Sequence, residues 1–410
     1  MNRPPSPVAF DCSLIIPTRN RREVLRHTLE KLHALPDSRR FEMIVVDNGS
    51  TDGSESLRWQ FPRVRWISLE ENMSAAARNV GARAARGRIL FMLDDDSWPE
   101  PGVLDRVVSR MDERRELGAV ACRVLLADSP QRHDAGGVPG VIFNCGGAVR
   151  RDSFLDTGGY PPEFGYYVEE YALCCRLWQR GLRIEPHGEL VVRHRRTAEN
   201  RDHNRMVRYL IRNNVALWRR FAPDSLREDL IASTLERYRR VAVKEGALIG
   251  YEAAIRGLEG TDAAQDDSRE FAIGLGECAR SEARPLTVVE FESLYGLEIA
   301  RRVLREWTDK YGIRRAAIWT RGKGAEQVVD VANSLGIRVV AVYDPRGLHL
   351  GETLWRGVPL RAVEDREMKG VDGLIVGSLS PGAAEDLRLE LSASFVGLPI
   401  VSLAPWADAG

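Results

Sequence analysis

The segment Ile89-Leu-Phe-Met-Leu-Asp-Asp-Asp-Ser97 joins a short apolar run to three consecutive carboxylates. An apolar run of this length that ends in polar residues is typical of a buried strand in a parallel sheet. Polar clusters follow two other apolar runs in the same way, at Thr18-Arg19-Asn20 and at Asp47-Asn48-Gly49-Ser50. Ligand sites in open α/β sheets lie beyond the carboxyl ends of the strands. We therefore expect the three polar clusters to meet in one crevice.

Helical patterns alternate with these apolar runs through the first half of the chain. Apolar residues recur at helical spacing from Arg22 to Ala34 and from Ser74 to Ala85, and another short apolar run extends from Val64 to Ser68. Such alternation predicts βαβ units with parallel strands. We therefore predict an α/β domain over residues 1–222.

The pattern changes after Phe221. Long, charged amphipathic stretches from Ser225 to Leu258 and from Leu286 to Lys310 predict a helical extension over residues 223–310. Strands and helices alternate again from Arg314, which predicts a smaller α/β domain over residues 311–410. A chain of 410 residues is long enough for such a division.

The composition excludes several classes of protein. The 59 basic residues balance 59 acidic ones, so nothing favours nucleic acid as a partner. The six cysteines are scattered without a CxxC pair that would predict a zinc or redox site. The first ten residues lack the apolar segment of a signal peptide, and no run approaches the length of a transmembrane segment. We expect a cytoplasmic protein, and peripheral attachment to the inner face of the membrane stays open.

The carboxylates after the 89–93 run are candidate metal ligands. Asp94 and Asp96 alternate at the end of the predicted strand, and Mg²⁺ or Mn²⁺ prefers oxygen ligands and leaves room for substrate phosphates. An alternative is helix capping, with Asp96 or Ser97 starting the helix that follows Pro101. These residues alone do not decide between the two.

Four linked motifs resemble family 2 glycosyltransferases, whose fold is GT-A. They are Ser13-Leu-Ile-Ile-Pro-Thr-Arg-Asn20, Ile44-Val-Val-Asp-Asn-Gly-Ser-Thr-Asp52, Ala77-Arg-Asn-Val-Gly81 and Phe91-Met-Leu-Asp-Asp-Asp-Ser97. The resemblance covers about the first 220 residues, and it rests on the order and spacing of all four motifs. It implies a GT-A domain that binds a nucleoside diphosphate sugar, such as a UDP- or dTDP-sugar, together with Mg²⁺ or Mn²⁺.

The resemblance also implies which residues form the site. Asp96 would ligate the metal, with Asp94 on ribose or on a metal-bound water, and His194 in Val191-Val-Arg-His194 would approach the metal or the diphosphate. The expected nucleotide-binding residues are Pro17, Thr18, Arg19, Asp47, Asn48, Arg78, Asn79, Asp94 and Asp95. Taken singly these residues have ordinary alternatives, since Asp-Asn-Gly-Ser is itself turn chemistry and a lone histidine is more often structural.

The segment from Phe164 to Leu177 resembles the part of the family that carries the catalytic base. Glu170 falls at the base position and Glu169 precedes it, although Asp is usual at the first of these positions and an acid is frequent where Ala172 stands. A carboxylate here would take the proton of the acceptor hydroxyl. Alternatively, both glutamates occupy the first turn of a helix, where negative charge is favourable.

The last 100 residues carry a weaker pattern. Gly322-Lys-Gly324 follows a predicted strand, and Asp344 ends the next one, which suits dinucleotide-type recognition, but Gln327 replaces the third glycine. The region resembles the small Rossmann-like nucleotide-sugar-binding domain of sugar acetyltransferases. A binding or protein-contact role and a purely structural one are both open. Because every catalytic motif ends by His194, we expect this domain to be dispensable for donor hydrolysis.

Together these patterns predict a metal-dependent glycosyltransferase that transfers a single sugar to an acceptor hydroxyl with inversion. The acceptor is a carbohydrate, a lipid-linked molecule or a small molecule, and a homo-oligomer is compatible with the sequence. The alternatives are a catalytically inactive GT-A module that binds nucleotide and recruits partners, a nucleotidyltransferase, and a transferase that retains configuration.

Overall fold

The computed structural model describes residues 10–36, 41–134, 136–196, 202–259, 284–320, 324–344, 354–355, 357–361, 368 and 370–406. Gly322 and Lys323 of the predicted glycine loop therefore lie outside the described residues.

The first half of the chain forms an eight-stranded mixed sheet. Its strands are β1 (Cys12–Thr18), β2 (Phe41–Asp47), β3 (Val64–Ser68), β4 (Ile89–Met92), β5 (Ser97–Pro99), β6 (Leu117–Leu126), β7 (Gly147–Arg150) and β8 (Arg183–His194). Their order is β3-β2-β1-β4-β7-β6-β8-β5. The first four strands are parallel, whereas β7 runs antiparallel to both of its neighbours and β5 antiparallel to β8.

Helices cover both faces of this sheet. They are α1 (Arg22–His33), α2 (Leu57–Gln60), α3 (Ala77–Ala84), α4 (Val103–Glu113), α5 (Arg151–Asp156) and α6 (Glu169–Gln179). Successive residues of β1 belong to different cores, with Ile15 in one cluster and Leu14 and Ile16 in the other. A strand buried on both faces has to be apolar throughout, which explains its continuous apolar run.

The middle of the chain is helical, as the amphipathic pattern predicts. Its helices are α7 (His203–Phe221), α8 (Arg227–Lys244), α9 (Leu248–Leu258), α10 (Val288–Tyr295) and α11 (Leu297–Tyr311). Each predicted stretch folds as two helices because a glycine with positive φ interrupts it, Gly246 at 64° and Gly296 at 66°. Among the described residues, none of the helices combines the length and apolar character needed to span a bilayer.

The C-terminal part forms a second, six-stranded sheet. Its elements are β9 (Arg315–Trp319), α12 (Ala325–Ser334), β10 (Arg338–Tyr343), β11 (Leu354–Trp355), β12 (Val358–Arg361), β13 (Gly373–Val376), α13 (Pro381–Ser394) and β14 (Ile400–Ser402). The order is β11-β12-β10-β9-β13-β14, parallel throughout except for β11. The predicted fold class is thus confirmed: an α/β chain with a GT-A-like mixed sheet, helices in the middle and a second parallel sheet.

The two sheets share a core. One buried cluster extends from Ile15 in the first sheet through Phe291 and Leu304 in the middle helices to Ile318 in the second sheet. The middle helices therefore connect the two α/β parts by apolar packing. The boundaries at residues 222 and 310 remain a prediction.

Candidate active site

Three polar segments that are distant in sequence meet at one edge of the first sheet. Thr18 at the end of β1 donates a hydrogen bond from Oγ1 to Oδ2 of Asp95, 2.8 Å away. Antiparallel pairing of β5 with β8 places Ser97 opposite His194. The carboxyl ends of β1, β4 and β8 therefore contribute to one crevice, as expected for strands of such a sheet.

Asp94, Asp96 and His194 form a compact cluster of metal-ligating groups. One ligand atom from each of the three lies within 4.8 Å of the others. Nε2 of His194 donates to Oδ1 of Asp96 at 2.9 Å. Two carboxylates and an imidazole at this separation are a donor set able to hold a divalent cation.

Helix capping does not explain the carboxylates. The helix after Pro101 is α4, and its N-cap residue is Gly102, without a side-chain hydrogen bond to the helix. Ser97 instead closes the turn between β4 and β5, since its Oγ accepts from the backbone N–H of Asp94 at 2.9 Å. The alternative of Asp96 or Ser97 as a helix cap is therefore wrong.

Asp134 holds the second ring nitrogen of His194. Its side chain is only 3% exposed, and its Oδ2 accepts a hydrogen bond from His194 Nδ1. Metal-binding histidines commonly donate their other ring N–H to a carboxylate, which fixes the orientation of the ring. No local pattern distinguishes Asp134 in the sequence, because it lies 60 positions before its partner and outside the four motifs.

Arg21 bridges two of the three consecutive aspartates. Its guanidinium lies 2.7 Å from Oδ1 of Asp95 and 2.7 Å from Oδ2 of Asp96. Asp95 is buried and also accepts hydrogen bonds from Thr18 on its side chain and from Thr28 on its backbone carbonyl. Asp95, expected at the nucleotide, thus anchors Arg21 and the start of α1. Arg21 itself was missed, although it directly follows the first polar cluster.

Burial and pairing set the charges of this cluster. Burial raises the pKa of Asp95 to about 7, against the opposing effect of Arg21. For Asp96 the burial effect is outweighed by His194 and Arg21, so its pKa is lowered. Burial would lower the pKa of His194, but the hydrogen bonds to Asp134 and Asp96 raise it to about 10. The imidazole is therefore a cation enclosed by carboxylates in the metal-free protein.

Two of the expected nucleotide-binding residues sit side by side on adjacent strands. Thr18 and Asp47 are partners in the parallel register of β1 and β2, and Pro17 pairs with Val46. Asp47 accepts from the backbone N–H of Ser50, three residues further on, at 2.9 Å, and this bond shapes the loop. Arg19 is exposed just beyond β1.

The two expected asparagines are fully engaged with backbone. Asn48 donates to the carbonyl of Ser74 at 3.1 Å and accepts from the N–H of Met73 at 2.7 Å. Asn79 donates to the carbonyl of Tyr160 at 2.8 Å and accepts from its N–H at 2.9 Å. Both amides position loops at the crevice, whereas the sequence suggested direct nucleotide contacts.

Arg78 is close both to Asp94 and to the start of α6. Its guanidinium pairs with Asp94 and is almost completely buried. Glu169 is near enough for its charge to act on Arg78. The aspartate–histidine cluster and the first residue of α6 are therefore neighbours of the same arginine.

The two glutamates differ in environment. Glu169 is buried and accepts a hydrogen bond from Asn144 Nδ2 at 2.7 Å, whereas Glu170 is half-buried. Burial, with the charge of Glu170 adding to it, raises the pKa of Glu169 well above its ordinary value. The folded protein therefore favours the neutral form of Glu169, and Glu170 is the more accessible of the two carboxyl groups.

The loop before α6 is strained and anchored by one asparagine. Tyr167 and Val168 have positive φ values of 68° and 73°, which non-glycine residues, β-branched ones above all, rarely adopt. Asn213 of α7 holds the loop, with Nδ2 at 2.8 Å from the carbonyl oxygens of Phe164, Tyr166 and Tyr167. Strain of this kind persists only where surrounding contacts over-determine it. The position of Glu170 is thereby fixed by α7, which sequence reasoning missed.

Residues 13–132 match the family model described as Glycosyl transferase family 2. Among curated relatives, the O-antigen biosynthesis protein RfbC of Myxococcus xanthus is 26% identical over 46% of this chain and 18% of its own length. Glycosyltransferase AglE of Haloferax volcanii is 38% identical over 24% of this chain and 34% of its own length. The match therefore spans only about a third or less of either relative. The N-terminal segment is similar to family 2 glycosyltransferases.

Solved structures of glycosyltransferases resemble the chain distantly. The mannosyltransferase PcManGT from Pyrobaculum calidifontis, in complex with GDP-Man and Mn²⁺, is 20% identical, with a TM-score of 0.43 over 63% of this chain and 77% of that one. TarS of S. aureus in complex with UDP is 17% identical, with a TM-score of 0.43 over 56% and 72% of the two chains.

Proposed function

We propose that this chain is a divalent-cation-dependent glycosyltransferase that transfers a single sugar from a UDP- or dTDP-sugar to an acceptor hydroxyl with inversion of configuration. The observation that carries the proposal is the cluster of Asp94, Asp96 and His194, whose Asp94 pairs with Arg78, a residue close enough to Glu169 for their charges to interact. A leaving diphosphate needs positive charge, and an acceptor hydroxyl needs a base. Asp94, Asp96 and His194 would hold the cation that supplies the positive charge, and Glu170 would be the base.

The ligand set fits a divalent cation, and it favours Mn²⁺ over Mg²⁺. Mg²⁺ binds almost solely to oxygen, whereas His194 contributes a nitrogen beside the two carboxylates. When bound, the cation would neutralise charge that develops on the diphosphate. Asp134 would keep the His194 ring oriented toward it through the Nδ1 hydrogen bond. Nε2 of His194, which donates to Oδ1 of Asp96 in the metal-free protein, would have to release its proton to solvent as the cation binds.

Glu170 is the proposed base in a single displacement. Its carboxylate would take the proton from the acceptor hydroxyl as that oxygen attacks the anomeric carbon and the diphosphate leaves. Glu169 is the less suited of the two, because burial favours its protonated form and Asn144 donates a hydrogen bond to one of its oxygens. The strained loop that Asn213 holds would position Glu170 before substrate arrives.

A panel of nucleotide sugars tests the proposal. Thermal shift with Mn²⁺ present should identify one UDP- or dTDP-sugar that raises the melting temperature, since ligand at about a hundred times its dissociation constant adds roughly 2.7 kcal/mol of stability. That sugar should then be hydrolysed slowly or transferred to an acceptor, with release of UDP or dTDP. Absence of any shift with all UDP-, dTDP- and GDP-sugars would overturn it.

A further inference from the structure

A short extended segment joins the metal cluster to the C-terminal sheet domain. His133 and Asp134 lie beside β6, where His133 bridges to Leu125 and the N–H of Asp134 donates to the carbonyl of Val124 at 3.1 Å. Side chains of successive residues in extended backbone point to opposite sides. Asp134 accordingly reaches His194 of the cluster, and His133 reaches helix α13 of the other domain.

The contact of His133 with α13 is specific. Its Nδ1 donates to Oδ1 of Asp386 at 2.7 Å, and its backbone N–H donates to Oδ2 of the same carboxylate at 3.3 Å. The ring stacks on Trp406, with centroids 6.0 Å apart and planes at 25°. Glu385 accepts hydrogen bonds from Trp406 at 2.8 Å and from Arg123 of β6 at 3.1 Å. Five side chains from the two domains thus form one polar and aromatic interface.

The residues of this interface are closely packed. A Cβ atom on Gly382 of α13 would lie 2.5 Å from Cδ2 of His133. A Cβ atom on Gly136 would lie 1.5 Å from Oγ of Ser380, just before α13. Because both distances are far inside van der Waals contact, only glycine allows the two surfaces to approach so closely. His133 itself is only 9% exposed.

We propose that Asp386 and His133 are positioning residues of the metal site, so that the C-terminal domain completes the catalytic unit. Asp386 fixes His133, the shared backbone fixes Asp134, and Asp134 orients the ring of His194 that faces Asp96. The inference rests on the proposed function, because it needs a cation at the cluster. Its consequence opposes the expectation from sequence that the C-terminal domain is dispensable for donor chemistry.

The affinity of the full-length protein for Mn²⁺, measured from the free-ion signal in electron paramagnetic resonance, tests this proposal. Loss of an outer partner of a metal ligand costs about 10–100-fold in affinity. Asp134→Ala should lower the affinity for Mn²⁺ by a factor within that range, and Asp386→Ala should lower it about 10-fold. Asp386→Asn, which keeps an oxygen for the Nδ1–H of His133, should stay within about twofold of wild type. Glu390→Ala, an exposed carboxylate on the same helix, is the matched control and should have no effect.

If Asp386→Ala folds and binds Mn²⁺ as tightly as wild type, while Asp134→Ala binds it more weakly, the positioning role of Asp386 is refuted. The proposed metal site would still stand. If Asp386→Ala does not fold, His133→Phe provides the test, because it keeps an aromatic ring on Trp406 and removes the N–H that donates to Asp386. Unchanged affinity of His133→Phe for Mn²⁺ would likewise refute the positioning role. Failure of wild type to bind Mn²⁺ would instead refute the proposed function. In that case the effect of Asp386 on His194 is tested without metal, from the ring resonances of ¹⁵N-labelled His194. Identical spectra for wild type and Asp386→Ala would show that Asp386 does not position the His194 ring.

Discussion

Glu169 and Glu170 begin the same helix, yet Glu169 is 3% exposed and hydrogen-bonded to Asn144, whereas Glu170 is half-buried. Adjacent residues on a helix are about 100° apart around its axis, so one can face the core while the next faces the crevice. The proposed division of roles between the two carboxyl groups is based on this difference.

Glu170→Gln should lower the rate of sugar transfer by roughly 10²–10⁴-fold, because the amide keeps the size of the side chain but cannot accept a proton. The affinity for nucleotide should change little, since Glu170 is not among the groups of the metal cluster. Steady-state kinetics together with binding titrations measure both quantities.

Glu169→Gln is the matched control for that experiment. It should retain most of the transfer rate, because burial already favours the neutral form of Glu169 and Gln keeps an oxygen for Asn144. Loss of transfer in Glu169→Gln with near-normal transfer in Glu170→Gln would reverse the assignment. A normal rate in both variants would favour a retaining mechanism.

The same variant predicts a pH dependence of stability. The pKa of Glu169 is raised in the folded protein, so its contribution is complete below about pH 4.3 and is lost as pH rises toward the folded pKa. Over that window the wild type loses up to about 1.4 kcal/mol per pH unit, because only the unfolded state ionises. Glu169→Gln avoids this loss. Its melting temperature should therefore exceed that of wild type by a margin that grows from pH 5 to pH 8, and a constant margin would contradict the burial argument.

Asn213→Ala should destabilise the protein and slow transfer. The change removes the donor shared by the carbonyls of Phe164, Tyr166 and Tyr167, and an intramolecular hydrogen bond of this kind contributes about 0.5–1.5 kcal/mol. Because the strained loop would relax, Glu170 would lose its position and turnover would fall more than nucleotide affinity. Thermal unfolding and kinetics together check this prediction.

The neighbouring Asn214 provides the control for that loop. Its side chain donates to the carbonyl of Leu210 within the same helix at 2.7 Å and lies 3.4 Å from the hydroxyl oxygen of Tyr238 in α8. Asn214→Ala should leave turnover close to that of wild type. An equal loss of turnover in the two alanine variants would show that the helix as a whole, and not the Asn213 anchor, supports the site.

The sequence predicted best those elements that local patterns define. The strand Val64–Ser68 has the predicted bounds, and the helix predicted from Arg22 to Ala34 is α1 at Arg22–His33. Both elements are defined by the spacing of their own apolar residues and by turn residues that lie a few positions before or after them. Gly246 and Gly296 interrupt the helical stretches for an equally local reason, but their left-handed conformation is visible only in the structure.

The sequence could not reveal contacts between residues that are distant along the chain. Asp134 meets His194 across 60 positions, and His133 meets Asp386 across 253. Nothing near either residue distinguishes it from an ordinary surface group. Asn48 and Asn79 illustrate the converse, since their contact with nucleotide stays a prediction from the motifs, whereas the structure shows that their amides bind loop backbone.

The central claim is that a cation at Asp94, Asp96 and His194 mediates nucleotide binding, and calorimetric titration of UDP and dTDP tests it most directly. We expect binding with Mn²⁺ present, little or none with EDTA, and a large loss in Asp96→Ala, because the diphosphate would then face carboxylates without a bridging charge. Glu170→Gln should bind like wild type. Equal nucleotide affinity with EDTA and with Mn²⁺ would contradict the claim.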